Sequence, residues 1–120
     1  MIHGIGTDLC DIRRIERLYN RFGNRFVSRL LHNNERPTHI TPALLARRFA
    51  AKEAVVKAMG TAFRHGLFLR DIQITHTAEG QPQVVLSAKA QAFLPANSYI
   101  HLTLADEPPY ALAFAIVERR

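Results

Sequence analysis

The segment at residues 42–59 places the strongest constraint on how this chain can fold. It reads PALLARRFAAKEAVVKAM and is rich in alanine, which is a strong helix former. Thr41 followed by proline is typical of a helix start, and Gly60 is a typical stop. The sequence therefore predicts one long helix, against which the rest of a 120-residue chain has to pack.

Shorter elements are predicted on both sides of this helix. They are a strand at 2–9, a helix from an Asp11 cap to Gly23, a short helix to Leu31, a loop at 32–41, a strand at 72–75 joined by a turn at 79–82 to a strand at 84–86, a short helix at 88–94, and strands at 99–104 and 111–117. This order predicts the α+β class, with an antiparallel sheet packed on the long helix in one domain spanning residues 1–120.

Charge and composition restrict the partners and the compartment. The formal net charge is +6, which favours anionic partners: a nucleic acid, an anionic membrane surface, a phosphorylated small molecule or an acidic protein. Cys10 is the only cysteine, so neither a disulfide within the chain nor a cysteine zinc site is expected. Neither a signal peptide nor a membrane-spanning run is recognisable, and the chain is expected to be soluble and cytoplasmic.

Asp8 is the first candidate for chemistry. It stands near the end of the first predicted strand, after Gly4 and Gly6, where the backbone is expected to lie close to another segment or a ligand. Magnesium takes oxygen ligands and commonly uses one or two carboxylates together with substrate phosphates. The alternative is that Asp8 only caps the following helix or turn.

A second candidate lies on the long helix. Glu53 and Lys57 are four residues apart and therefore share one helix face. A carboxylate that holds a metal, next to an ammonium that neutralises phosphate charge, suits phosphoryl transfer. The alternative is a solvent-exposed ion pair, which contributes about 0.3–0.5 kcal/mol.

Arginines recur at four-residue spacing along the first predicted helix. Arg13, Arg17 and Arg21, with Arg14 beside them, lie away from its apolar face. Such a stripe suits an acidic helix or a phosphate backbone, and the alternative is a solvated helix face. The six histidines show no spacing that is typical of metal ligands.

Two long motifs, taken together, resemble a known family. Residues 4–16 (GIGTDLCDIRRIE) and 48–61 (RFAAKEAVVKAMGT) resemble the two signatures of holo-acyl-carrier-protein synthases. Residues 66–82 and the hairpin at 101–118 resemble the segments that follow in that family. The resemblance covers nearly the whole chain in order. It implies the 4'-phosphopantetheinyl transferase fold, in the short class that forms homotrimers with a site at each subunit interface.

The resemblance also implies roles for individual residues. The metal, Mg²⁺ or alternatively Mn²⁺, is expected on Asp8 and Glu53, with Lys57 near the reacting phosphates. Coenzyme A contacts are expected at Arg48, Lys52, Lys57, Gly60, His101, Thr103 and Asp106. The docking surface for acyl carrier protein is expected at Arg13, Arg14, Arg17 and Arg21. No membrane and no nucleic acid is expected as a partner.

The implied reaction moves 4'-phosphopantetheine from coenzyme A to a serine of the carrier and releases 3',5'-ADP. The serine needs a base, for which Glu53, Asp8 and a metal-bound water are candidates. Between Leu31 and Arg48 this chain is shorter than many members, some of which carry a basic pair there over the 3'-phosphate. Arg36, His39 and Arg47 are the available substitutes.

Three other interpretations compete with this one. The first is a small basic module that binds nucleic acid, which predicts salt-dependent binding and indifference to magnesium. The second is an inactive relative that only binds the carrier. The third keeps the reaction but serves a carrier outside fatty-acid synthesis.

Overall fold

The computed structural model describes residues 1–120 and has the α+β class that the sequence predicts. Its elements are β1 (Ile2–Asp11), α1 (Ile12–Phe22), α2 (Asn24–Leu30), a 3₁₀ turn (Asn33–Glu35), α3 (Pro42–Ala58), a second 3₁₀ turn (Leu69–Asp71), β2 (Ile72–His76), β3 (Pro82–Leu86), α4 (Ala88–Gln91), β4 (Ser98–Glu107) and β5 (Tyr110–Arg119). None of the helices is both long and apolar enough to cross a membrane.

The helix boundaries follow the capping signals of the sequence. The side chain of Asp11 accepts a hydrogen bond from the backbone N–H of Arg13, and Thr41 caps α3 in the same way through Leu44. Helix α1 ends at Gly23, as predicted. Helix α4 is shorter than expected, whereas β4 and β5 extend beyond their predicted ends.

The strands divide between two antiparallel sheets instead of forming one. The larger sheet has the order β1-β5-β4, with Ala115 of β5 opposite Gly6 on one side and Leu102 on the other. The smaller sheet pairs β2 with β3. A cleft, lined by β3, β4 and the segment that joins them, separates the two sheets.

Small side chains allow α3 to lie close against the larger sheet. Ala111, Ala113 and Ala115 of β5 are completely buried, and so are Ala50 and Ala54 of α3. Ten of the seventeen residues of α3 are buried, so this helix is covered on most sides. The predicted packing of an antiparallel sheet on one long helix is therefore confirmed.

The two glycines of β1 bring this strand closest to α3. A Cβ atom built on Gly4 would lie 2.0 Å from the carbonyl oxygen of Ala58, and one built on Gly6 would lie 2.1 Å from that of Ala54. Both distances are far inside van der Waals contact. The close approach predicted from these glycines is thus made to the backbone of α3.

The opposite face of the larger sheet is open to solvent and carries large apolar side chains. Because side chains alternate along a strand, residues on this face follow one another at every second position. We define the open sheet face as Ile5, Leu9, Tyr99, Leu112 and Phe114, whose exposed fractions range from 39% to 62%. Nothing within one chain covers it.

Candidate functional site

Asp8, Glu53 and Lys57 meet where β1 crosses α3. Asp8 lies on the face of β1 that packs on the helix, because it shares the alternation of Gly4 and Gly6. The Nζ atom of Lys57 lies 3.2 Å from Oδ1 of Asp8 and donates a 2.9 Å hydrogen bond to the carbonyl of Thr7. Two candidates that are 49 residues apart in sequence therefore form one site.

Lys57 pairs with Asp8 rather than with Glu53. The ion-pair alternative considered for Glu53 and Lys57 is not observed, since the ammonium is directed at the strand. Half of the Lys57 side chain is exposed, so it can also reach an incoming anion. Its position next to a carboxylate and in contact with solvent suits a group that neutralises phosphate charge.

Glu53 is held in a partly buried and acidic setting. Burial raises the pKa of Glu53 above its usual value, and the nearby charge of Asp8 raises it further, while Lys57 and Arg14 lower it. No ion pair of Glu53 is formed in the structure. A carboxylate whose charge is destabilised by a neighbouring carboxylate in this way is a suitable ligand for a cation.

The donor set at this crossing consists of two carboxylates. No cluster of three or more histidine, cysteine, aspartate or glutamate side chains is present, so a zinc-type site is not formed. Two carboxylates without further protein ligands fit Mg²⁺, which retains waters and takes substrate phosphate oxygens. The residues at this site therefore fit the metal that the family resemblance implies.

Arg48 lies in a basic cluster at the other end of α3. It is 9% exposed, and its Nε atom is buried without a hydrogen-bond partner. Burial lowers the pKa of Arg48, Glu35 raises it and Arg47 lowers it. The pKa of His76 is lowered by burial and by both arginines. No sequence pattern marks His76 as a member of this cluster, because it reaches the arginines from the distant strand β2.

Lys52 does not lie where a coenzyme A contact requires it. Its side chain is fully buried, and Nζ contacts Oε1 of Glu35 at 2.7 Å. Nζ also donates to the carbonyls of Leu30 and Leu69. Because all three donors of this ammonium are used inside the protein, the expectation that Lys52 binds coenzyme A is corrected.

The remaining predicted cofactor residues are spread over the fold. Gly60 follows α3 and has a φ of 82°, a backbone conformation that favours glycine at the end of a helix. His101 and Thr103 lie on the outer side of β4, and His101 contacts Glu118 at 3.0 Å. Asp106 forms an ion pair with Arg47 at 3.5 Å.

Within one chain, these residues do not form a single pocket with Asp8. His101 and Thr103 point to the side of the sheet that faces away from α3, whereas Asp8 points towards α3. A site that uses both sets would need a second copy of the chain.

The four arginines predicted as a docking surface are exposed on α1. Ile15 of the same helix is buried, so the stripe lies off the apolar face as expected. Arg13 is held by a bidentate contact with Asp11. Arg14 lies over the ring of Phe49, with 5.3 Å between its guanidinium carbon and the ring centroid, which brings the stripe next to α3.

A cleft of about 1080 Å³ opens beside Glu53, and we call it the Glu53 cleft. It lies between α2, the loop that follows α3, and the start of the smaller sheet. Its lining residues are Ser28, Arg29, His32, Glu53, Phe63, Leu67, Phe68, Leu69, Arg70, Asp71, Gln73, Ser87 and Lys89. The sequence alone does not predict this cleft, because its walls come from four separate segments.

This fold has clear relatives among known proteins. The sequence model of the 4'-phosphopantetheinyl transferase superfamily matches residues 4–115. The chain therefore belongs to this superfamily, and the proteins most similar to it make the family more specific.

A holo-[acyl-carrier-protein] synthase of Methylorubrum populi is 47% identical, with 98% of this chain and 94% of that protein covered. The crystal structure of the synthase from Neisseria meningitidis has a TM-score of 0.91 at 39% identity and covers 99% of this chain and all of its own. The synthase of Helicobacter pylori in complex with coenzyme A has a TM-score of 0.83 at 28% identity, over 95% of this chain and 99% of its own. Within the superfamily, the chain is one of the holo-[acyl-carrier-protein] synthases, which are phosphopantetheinyl transferases.

Proposed function

We propose that the protein transfers 4'-phosphopantetheine from coenzyme A to a serine of apo-acyl carrier protein, with Mg²⁺ held by Asp8 and Glu53. The observation that carries this proposal is the meeting of Asp8, Glu53 and Lys57 in one partly exposed site. The family membership supports the reaction class. The cytoplasmic location stays a prediction.

The chain's own groups have defined tasks in this reaction. When bound, the metal would neutralise pyrophosphate charge and orient the oxygens of the donor. Lys57 would balance the negative charge that builds on the equatorial and leaving oxygens. The oxygen of the carrier serine forms a bond to the phosphorus that bears pantetheine, and the bond from this phosphorus to the bridging oxygen of 3',5'-ADP breaks. A carboxylate of the site or a water accepts the serine proton.

The basic cluster at the N-terminal half of α3 is proposed to hold the nucleotide end of coenzyme A. Arg47 and Arg48 bring two positive charges together at one place, and these charges, together with burial, lower the pKa of the neighbouring His76. The Nε atom of Arg48 is buried without a partner, which favours an anionic ligand that would satisfy the guanidinium. This cluster supplies the positive charge that the shortened loop before α3 lacks.

The arginines of α1 are proposed to bind an acidic surface of acyl carrier protein. They are exposed and lie on one side of the helix. Through the contact between Arg14 and Phe49, this surface continues towards the Asp8 and Glu53 site. A carrier docked here would bring its serine towards the reacting phosphate.

Charge reversal on α1 should weaken carrier binding without affecting the chemistry. We expect Arg21→Glu to raise the KM for acyl carrier protein about tenfold, because association with an acidic partner is electrostatically steered. Steady-state kinetics at fixed coenzyme A and varied carrier would measure it. Arg64→Glu changes the net charge equally at an exposed position off α1 and is the control. An unchanged KM in Arg21→Glu would remove α1 from the docking surface.

We further propose that the open sheet face is the contact between copies in a homotrimer. Contiguous exposed apolar patches of this kind are typical of protein interfaces. In addition, His101 and Thr103 lie on this side of the sheet, so another copy could use them to complete its coenzyme A site. The assembly would thus unite residues that a single chain keeps on opposite faces.

Placing a charge on the open sheet face should dissociate the assembly. We expect Phe114→Glu to convert a trimer into a monomer, because a buried unpaired carboxylate is strongly unfavourable in an interface. Light scattering coupled to size exclusion gives the mass directly. Val85→Glu is the matched control, since Val85 is 48% exposed but lies on the smaller sheet. A monomeric wild-type protein would contradict the proposal.

The reaction itself is tested by intact-mass spectrometry of apo-acyl carrier protein. The carrier is incubated with this protein, coenzyme A and Mg²⁺, and a mass gain of one phosphopantetheine is expected. The gain should disappear when EDTA removes the metal. A carrier that stays unmodified under all conditions, with the protein shown to be folded, would overturn the proposed function.

A further inference from the structure

Lys52 and Glu35 form the centre of a buried polar network. Both side chains are completely buried, and the ammonium contacts Oε1 of Glu35 at 2.7 Å. The ammonium also donates to the carbonyl at the end of α2, from Leu30, and at 3.1 Å to that of Leu69. Every donor of Lys52 therefore has an acceptor from a different segment of the chain.

Glu35 extends the network to two more places. Its Oε1 accepts a 2.9 Å hydrogen bond from the backbone N–H of His32, and its Oε2 accepts one of 3.0 Å from Ile74 in strand β2. A single buried ion pair thus joins α3 to α2, to both 3₁₀ turns and to the smaller sheet. Since two buried ions lose their hydration, such a pair contributes little net stability, but it fixes the segments that it joins.

The segments joined by this pair are the walls of the Glu53 cleft. His32 and Leu69, whose backbone groups contact the pair, both line the cleft. Gln73 lines it next to Ile74. Lys52 directly precedes Glu53, so the pair holds the helix and the opposing walls of the cleft together at the level of the catalytic site.

The lining of the cleft suits one end of coenzyme A better than the other. Phe63, Phe68 and Leu69 provide apolar surface, and Gln73 and Ser87 provide amide and hydroxyl groups. Arg29, Arg70 and Lys89 add positive charge, which suits the pyrophosphate from which the pantetheine arm extends. Beyond its phosphates, the pantetheine arm is uncharged and has a branched apolar segment with two amides. The nucleotide end carries a further phosphate, which suits the arginine cluster of α3 instead.

We propose that the Lys52–Glu35 pair is a positioning device for the donor: it holds the walls of the Glu53 cleft at the separation that the pantetheine arm requires. This inference rests on the proposed function. Lys52 and Glu35 act through the walls and do not touch the substrate, so they are positioning residues rather than catalytic ones.

The test replaces the pair by uncharged side chains of similar size. Lys52→Met/Glu35→Gln removes both charges together, so no lone ion stays buried. Isothermal titration calorimetry with Mg²⁺ then compares coenzyme A with 3',5'-ADP, which lacks the pantetheine arm. We expect the Kd for coenzyme A to rise about tenfold and the Kd for 3',5'-ADP to stay unchanged. In steady-state assays, the KM for coenzyme A should rise, while kcat and the KM for the carrier should stay unchanged.

Two further variants keep this test decisive. Val117→Ala creates a cavity beneath the larger sheet, away from the cleft, and should lower the Tm without changing either Kd. Lys52→Met/Glu35→Met is measured in the same way if the first double variant does not fold. Equal Kd values for coenzyme A in variant and wild type, or equal weakening of both ligands, would overturn the inference. A wild-type protein that is folded but transfers nothing would instead overturn the proposed function.

Discussion

The variants Asp8→Ala and Glu53→Ala should each lower kcat/KM by at least about 1000-fold, since several kcal/mol of charge stabilisation depend on the metal that these carboxylates are proposed to hold. Across the crossing of β1 and α3, the charge of Asp8 raises the pKa of Glu53. Removing either one leaves a single carboxylate, which is a weaker ligand set for Mg²⁺. Transfer to the carrier, followed by mass spectrometry over time, measures the loss.

Both variants are expected to fold. Neither carboxylate accepts a hydrogen bond that closes a turn or caps a helix, so the Tm should stay within a few degrees of the wild-type value. Glu107→Ala, in the exposed end of β4, is the control for loss of a carboxylate elsewhere. Full activity in Asp8→Ala or Glu53→Ala would refute the metal assignment.

The second large effect concerns stability rather than catalysis. Gly6→Ala should lower the free energy of unfolding by about 3 kcal/mol, because the new methyl group would lie 2.1 Å from the carbonyl oxygen of Ala54. The same methyl group would lie 2.7 Å from the backbone nitrogen of Ala58, so strand and helix have to move apart. A decrease of about 10 °C in the Tm is the corresponding expectation in a thermal melt.

Gly80→Ala separates steric overlap from backbone strain. Gly80 has a φ of 88°, and a methyl group added there would meet open space, so alanine costs about 1 kcal/mol from backbone conformation alone. A Gly6→Ala protein as stable as Gly80→Ala would mean that β1 can withdraw from α3 at little cost. Activity should fall with stability in Gly6→Ala, because the same contact sets the distance between Asp8 and Lys57.

Local signals in the sequence were sufficient for most of the fold. Thr41 and Pro42 mark the start of α3, and Gly23 marks the end of α1, because helix ends are determined by capping and backbone preferences of neighbouring residues. The close approach of β1 to another segment was also predictable, since two glycines in a strand leave room for a backbone. The division of the strands into two sheets was not, because strand pairing depends on contacts between distant segments.

The candidate site divides in the same way. Residue type and motif spacing, with the family resemblance, selected Asp8, Glu53 and Lys57, which the structure brings together. They failed for Lys52, which the family resemblance placed near coenzyme A and which the structure buries on Glu35. A lysine in a helical pattern is ordinarily expected to be exposed, and the burial of this one depends on Glu35, which is 17 residues away in sequence.

By itself, the sequence determined the helices, the strands and the pair of motifs that carry the chemistry, because these depend on interactions between residues close along the chain. Only the tertiary structure decided that Lys57 pairs with Asp8, that Lys52 is buried on Glu35, and that His101 and Thr103 face away from the carboxylates. Each of these depends on which side of an element meets which neighbour. Burial and charge pairing between distant segments decide which sides meet, and the local propensity of a segment carries no information about this.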